Sequence, residues 1–227
     1  MTGMKTQMGE VMKYSDVELR EAMVECALAE WDRCVLDTQG AIAGSIKRIT
    51  EYYVEVGGWW PSYIKENGGG QYTEVFVQDG TKKYMSWCGI FVGWCGLNLG
   101  RFLEDNACIN YRVKPKVAEL CLASTYRLNS REKWTEQRVI PPARYEPHEI
   151  QRGDIVVVGD DKHYGDHITL ALYAPNEDGQ VFTLSGNGWG KVPCKDGRRE
   201  GVVKTIYDLD DVTRVYRLTK DHFTTKI

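Results

Sequence analysis

Apolar positions recur at helical spacing in the first half of the chain and in short β-branched runs in the second. From Ser15 to Trp31 the pattern predicts a helix, with Leu19, Ala22, Met23, Cys26 and Ala29 on one face and Ser15 and Glu18 in capping-box spacing. A second helix is predicted from about Ala41 to Val56, where Ile42, Ile46, Ile49, Tyr53 and Val56 alternate at four- and three-residue steps before Gly57-Gly58 stops it. Both read as scaffold. Trp59-Trp60-Pro61 and Asn67 to Gly70 read as an irregular, partly aromatic segment, Tyr72 to Val77 as a short strand, and Lys82 to Met85 as a lead into the next helix.

That next helix, Ser86 to Gly100, is unusual. At about 100° per residue it sorts into a stripe of Gly89, Gly93, Gly96 and Gly100, a stripe of Trp87, Ile90, Phe91 and Trp94, and a stripe of Cys88, Val92, Cys95 and Leu99. Glycine costs roughly 1 kcal/mol per residue inside a helix, so four on one stripe predict close approach by another element, a sheet above all.

Pro115 opens a further predicted helix to about Leu128, with Val117, Leu120, Cys121, Ser124 and Leu128 inward. Residues 129 to 153, polar and bearing Pro141, Pro142 and Pro147, read as a long surface connection. Strands are then predicted over Asp154 to Val158, His167 to Tyr173, Val181 to Ser185, Val202 to Tyr207 and Thr213 to Leu218, with a hairpin at Pro175 to Gly179. The order is helices first, then an antiparallel sheet: one compact α+β domain is expected, with an N-terminal helical region, 1–83, packed on a core at 84–227.

Composition narrows the chemistry. The 227 residues carry a formal net charge of -3 and no basic run, which argues against a protein that holds nucleic acid by neutralising phosphates. No segment approaches 18 apolar residues, and residues 1 to 14 lack the apolar core of a secretory signal. The expectation is synthesis in the cytoplasm, with no transmembrane segment and no cleavable signal peptide. The seven cysteines have no CxxC pair and no finger spacing, so neither a disulfide scaffold nor a zinc site is expected. Cys88 and Cys95 share a face but stand about 10 Å apart along the helix, too far for a disulfide.

Cys88 falls in the first turn of its helix, where unpaired amides and the positive dipole end favour thiolate. A thiol nucleophile needs a base, and imidazole suits the task. His148 lies in the proline-bearing connection and His222 near the terminus. His167 opens a strand and is the better placed, with His163 as its rival. The His163 and His167 spacing would align two metal ligands on a helix, but here it spans a loop and a strand start, so no metal and no cofactor is expected. Asn187, beyond the strand expected to pair with that of His167, is positioned to orient the imidazole. No helix follows Gly186-Asn187-Gly188-Trp189-Gly190, so that run reads as a catalytic or substrate loop and not a dinucleotide fingerprint.

Trp87-Cys88-Gly89-Ile90-Phe91-Val92-Gly93-Trp94-Cys95, Gly153-Asp154-Ile155-Val156-Val157-Val158, Asp166-His167-Ile168-Thr169-Leu170 and Ser185-Gly186-Asn187 occur in an order and spacing that resembles the CHAP family of cysteine, histidine-dependent amidohydrolases/peptidases. The resemblance covers about residues 84 to 218. It implies a papain-like fold of the NlpC group and cleavage of amide bonds in bacterial peptidoglycan. It also implies Cys88 as nucleophile, His167 as general base and acid, and Asn187 as orienting residue. Trp87, Asp166, Ser185 and Trp189, beside these three, are the expected substrate contacts. Many members carry glutamate where Ser185 stands, so the resemblance implies an Asn187 that acts without a neighbouring carboxylate. Lys191, Lys195, Arg198 and Arg199 could meet the free carboxylates of stem peptides. Implied partners are peptidoglycan or its stem peptides and, for a secreted antibacterial effector, an immunity protein; phage lysis is the other delivery route. The alternatives are an acyltransferase on the same Cys-His fold and an inactive binding or inhibitory module.

Overall fold

The computed structural model describes residues 13–35, 43–64, 73–76, 82–103, 111–121, 124–159, 167–190, 192 and 200–225. The described residues form a mixed helical and antiparallel-sheet structure, with the longer helices N-terminal and the main sheet C-terminal. Helix α1 spans Asp16–Asp32 and begins on the expected box, Ser15 Oγ accepting from the Glu18 amide and Glu18 from the Ser15 amide. Helix α2, Ala43–Gly57, ends at Gly58, whose positive φ of 64° is the left-handed stop that glycine supplies without strain. Helix α3, Cys88–Asn98, runs into a 3-10 turn at Leu99–Phe102.

Six antiparallel strands form the main sheet: β5 (Ala143–Tyr145), β6 (Ile155–Val158), β7 (His167–Ala171), β8 (Gln180–Trp189), β9 (Glu200–Asp208) and β10 (Val212–Arg217), in the order β5-β10-β6-β7-β8-β9. Helix α3 packs against β7 and β8 on one side and against α1 and α2 on others, so it is surrounded. Nearly every residue from Cys88 to Gly100 is buried.

Several expectations need correction. Trp60–Ile64 is not irregular; it is β1, which with β2 (Thr73–Phe76) and β3 (Lys82–Met85) makes a three-stranded sheet inside the region expected to be helical. The helix expected from Pro115 to Leu128 is two, α4 (Pro115–Cys121) and α5 (Thr125–Asn129), because Ser124 turns out to be extended and caps α5 through its hydroxyl. The connection at 129–153 holds α6 (Arg131–Glu136), capped by Ser130 and anchored by buried Trp134, and also β5. Strand β4 (Tyr111–Val113) pairs with β11 (Phe223–Thr225), and between β10 and β11 His222 is buried, its Nδ1 accepting from the Thr219 amide. Asn67 to Gly70 lies outside the described residues.

Two buried polar clusters fix α1 to its neighbours. Asp154, fully buried, accepts two hydrogen bonds from Arg217 at 2.8 and 2.6 Å with Arg20 of α1 at 4.0 Å, while Arg20 also donates to the Leu218 carbonyl. Glu30 of α1 accepts both arms of Arg48 at 2.7 Å and the Tyr52 hydroxyl at 2.6 Å. Arg48 in turn lies 4.2 Å from the Trp94 ring centre, so the cluster reaches α3. Among the described residues no helix is long and apolar enough to cross a membrane.

Candidate active site

Two elements converge on Cys88. Strand β3 delivers the chain through Ser86 and Trp87 into the first residue of α3, where the dipole and the free amides of the first turn favour a thiolate. Strand β7 begins at His167, beside that helix end. Burial alone pushes the Cys88 thiol up, but a hydrogen bond with His167 and its charge, the Ser86 hydroxyl and the Ile168 backbone amide outweigh it and bring the thiol from 9.0 down to about 7. The Ser86 hydroxyl lies 3.3 Å from the sulfur.

His167 is held on its other side by Ser185. Its Nε2 lies 2.8 Å from Ser185 Oγ, which leaves Nδ1 as the ring nitrogen for the sulfur. The two partners are unlike in access: Ser185 is fully buried, and His167 is partly exposed.

Asn187 reaches the neighbour of the sulfur. Its Nδ2 donates to Ser86 Oγ at 2.5 Å, a contact not expected of the side chain assigned to the imidazole. Backbone geometry explains the contact. The Gly186 to Gly190 run is strand up to Trp189, where β8 ends, with a bulge between Ser185 and Gly188 and Asn187 at a φ of 57°. A regular strand would aim residues 185 and 187 at one face, whereas the bulge divides them between His167 and Ser86. Asparagine tolerates this left-handed conformation better than most residues.

The glycines around Asn187 answer to space. A Cβ on Gly186 would lie 2.3 Å from the Trp87 ring and 2.7 Å from Phe91 Cβ, so β8 can lie on the helix start only with glycine there. A Cβ on Gly188 would lie 2.8 Å from Val203 and within 3.7 Å of His167 Nε2. The close approach of β8 to the start of α3 is made by a glycine of the strand against the aromatic side chains of the helix.

Trp87, expected to touch substrate, is 2% exposed and packs on Phe91 and Tyr52 as well as on Gly186. It is a wall of the core. Ser185, expected as a substrate contact too, faces His167 from inside the sheet. Asp166, His163, the Trp189 side chain, Lys191, Lys195, Arg198 and Arg199 lie outside the described residues. Of the other histidines, His148 is exposed at the Pro147–Glu149 turn and His222 is packed far along the chain. The site therefore draws together Ser86, Cys88, His167, Ile168, Ser185 and Asn187. Ser86 was missed from the sequence, although its position at the end of β3, two residues before a helix-start cysteine, was the available signal.

Comparison with known proteins finds no family model, no curated protein and no solved structure that matches the chain. What remains is a buried thiol with donors on three sides and an imidazole steadied from behind. Such a group can attack a carbonyl carbon and hand a proton to the departing amine.

Proposed function

We propose that this chain is a cysteine amidohydrolase of the CHAP type, with a papain-like arrangement of helix on sheet, that cleaves amide bonds in bacterial peptidoglycan. The observation that carries the reading is the Cys88 thiol, brought down to about 7 by His167 at a helix start in spite of its burial. A structural cysteine has no use for that arrangement. The order of the four sequence segments around Cys88, Gly153-Asp154, His167 and Gly186-Asn187 supports the choice of family and, through it, of substrate.

The steps follow from the residues. Cys88 thiolate attacks the amide carbonyl carbon, and the C=O pair moves onto oxygen as the C–S bond forms. The Cys88 backbone amide belongs to the first turn, whose amides lack intrahelical acceptors, and in this mechanism it meets the oxyanion. Collapse breaks the C–N bond while protonated His167 gives its proton to the amine. Water then loses a proton to His167 and attacks the thioester, releasing the acid and returning Cys88. Ser185 keeps the ring in register through both halves, the role that Asn187 was expected to fill.

Action on the wall requires delivery out of the cytoplasm, and a contact-dependent secretion apparatus or phage lysis supplies it. The former calls for an immunity protein. The deciding experiment is mass spectrometry of muropeptides from sacculi treated with wild-type protein and with Cys88→Ala. Release of new amino termini or stem peptides by wild type alone is the expected result; intact sacculi at every pH between 6 and 9 would count against the proposal.

A further inference from the structure

Asn187 and Ser86 form a chain that ends on the reacting sulfur. The Asn187 amide nitrogen has only protons to give, and it gives one to Ser86 Oγ at 2.5 Å. That contact occupies a lone pair of the hydroxyl and leaves its single proton to be directed elsewhere. Cys88 Sγ lies 3.3 Å away, within reach of a sulfur hydrogen bond, and a thiolate can only accept.

We infer that Ser86 is a catalytic residue whose hydroxyl donates to the Cys88 thiolate, and that Asn187 is the positioning residue that fixes the direction of that donation. The inference rests on Cys88 as the nucleophile and adds a second support for its ionised state, independent of the imidazole. It also gives the bulge in β8 a purpose. One strand segment serves both members of the pair, Ser185 steadying the base and Asn187, through Ser86, steadying the sulfur.

The relay has a direction, and direction can be tested. Ser86→Ala removes the donor. Asn187→Asp keeps the size of the side chain and its tolerance of positive φ, but a carboxylate accepts, so the Ser86 proton turns away from the sulfur and a negative charge arrives beside it. The measurement is the rate of Cys88 alkylation by iodoacetamide between pH 5 and 10 on the full chain, followed by peptide mass spectrometry, with circular dichroism to establish that each variant is folded.

Wild-type labelling should rise with a midpoint near pH 7. Loss of a hydrogen bond to a charged group should move the Ser86→Ala midpoint up by about 1 pH unit and slow labelling at pH 7 by roughly fivefold. Asn187→Asp should shift it at least as far. Folded variants that both titrate like wild type overturn the relay. An Asn187→Asp midpoint unmoved beside a shifted Ser86→Ala overturns the positioning role. Alkylation needs no substrate, so this outcome is decided separately from whether sacculi are cut.

Discussion

Cys88 and Cys95 stand about two turns apart on α3, on the same stripe, and both are buried. Their thiols are nevertheless driven in opposite directions. Burial pushes both up. For Cys95 the Cys26 thiol, with which it shares a hydrogen bond, and the nearby Glu30 carboxylate raise it further, and the opposing pull of the Arg48 guanidinium is too small to bring it back from well above its usual range. For Cys88 the imidazole of His167, the Ser86 hydroxyl and the Ile168 amide more than undo the burial. Depth in the protein therefore says little about reactivity, and the count of donors facing the sulfur says much.

The largest break in that comparison is to delete each sulfur in turn. Cys88→Ala should lower amide hydrolysis on the order of 10⁴-fold or more while the protein still folds. Cys95→Ala should leave turnover per folded molecule within about twofold and cost roughly 1 to 2 kcal/mol of stability through the lost packing. Muropeptide release and thermal melts measure the two effects, and a Cys95→Ala protein that is folded but inactive would reverse the assignment.

Acidity sharpens the same contrast. In the proposed mechanism the nucleophile is the ionised thiol, so activity should be present above the Cys88 midpoint of about 7 and fall about tenfold for each pH unit below it, reaching roughly 100-fold at pH 5. Cys95, raised instead of lowered, should resist iodoacetamide across that whole range until the protein unfolds. An acid limb that persists unshifted in alkylation of Cys88→Ala protein would belong to another thiol and defeat the reading.

The polar supports of α3 are unlike at its two ends. Glu30 and Arg48 stand at the Cys95 end, while the Tyr52 ring runs along the helix from Trp94 past Phe91 to Trp87. Glu30→Ala would leave the Arg48 guanidinium paired with Glu51 alone and take the acceptor from the buried Tyr52 hydroxyl, and should cost about 3 kcal/mol, lowering the melting temperature by roughly 10 °C. The alkylation midpoint of Cys88 in the folded variant should not move. A shifted midpoint would mean that the two ends are coupled.

How far the sequence discloses such a division depends on the range over which each feature is encoded. The Ser15 and Glu18 box, the stop at Gly57-Gly58 and the placement of Cys88 at a helix start depend on neighbours within one turn and are legible. The runs Ile155–Val158 and Val212–Arg217 announce themselves by β-branching. Strand β1 does not, because Trp60-Pro61 punctuates it, and α6 hides in a polar stretch whose one apolar anchor is Trp134. At the site, alternation alone gives Ser185 and Asn187 the same face, and only the bulge decides which meets His167. Trp87 looks like a platform for substrate until Gly186 is seen across from it, cleared of any side chain to admit the ring.

The smallest expected effect falls on Ser185, and it tests what the imidazole needs at its back. A carboxylate there would pair with the imidazolium; the hydroxyl at 2.8 Å offers a neutral hydrogen bond, worth about 1 kcal/mol. Ser185→Ala should therefore lower kcat roughly fivefold, with KM nearly unchanged because the fully buried residue does not meet substrate. The loss should be smaller than that of Cys88→Ala by orders of magnitude, since the ring is still confined by β7 and by the sulfur itself. Steady-state kinetics on a soluble stem peptide resolve the split. If kcat is untouched while KM rises, Ser185 belongs with the substrate after all, and the imidazole is held by its strand alone.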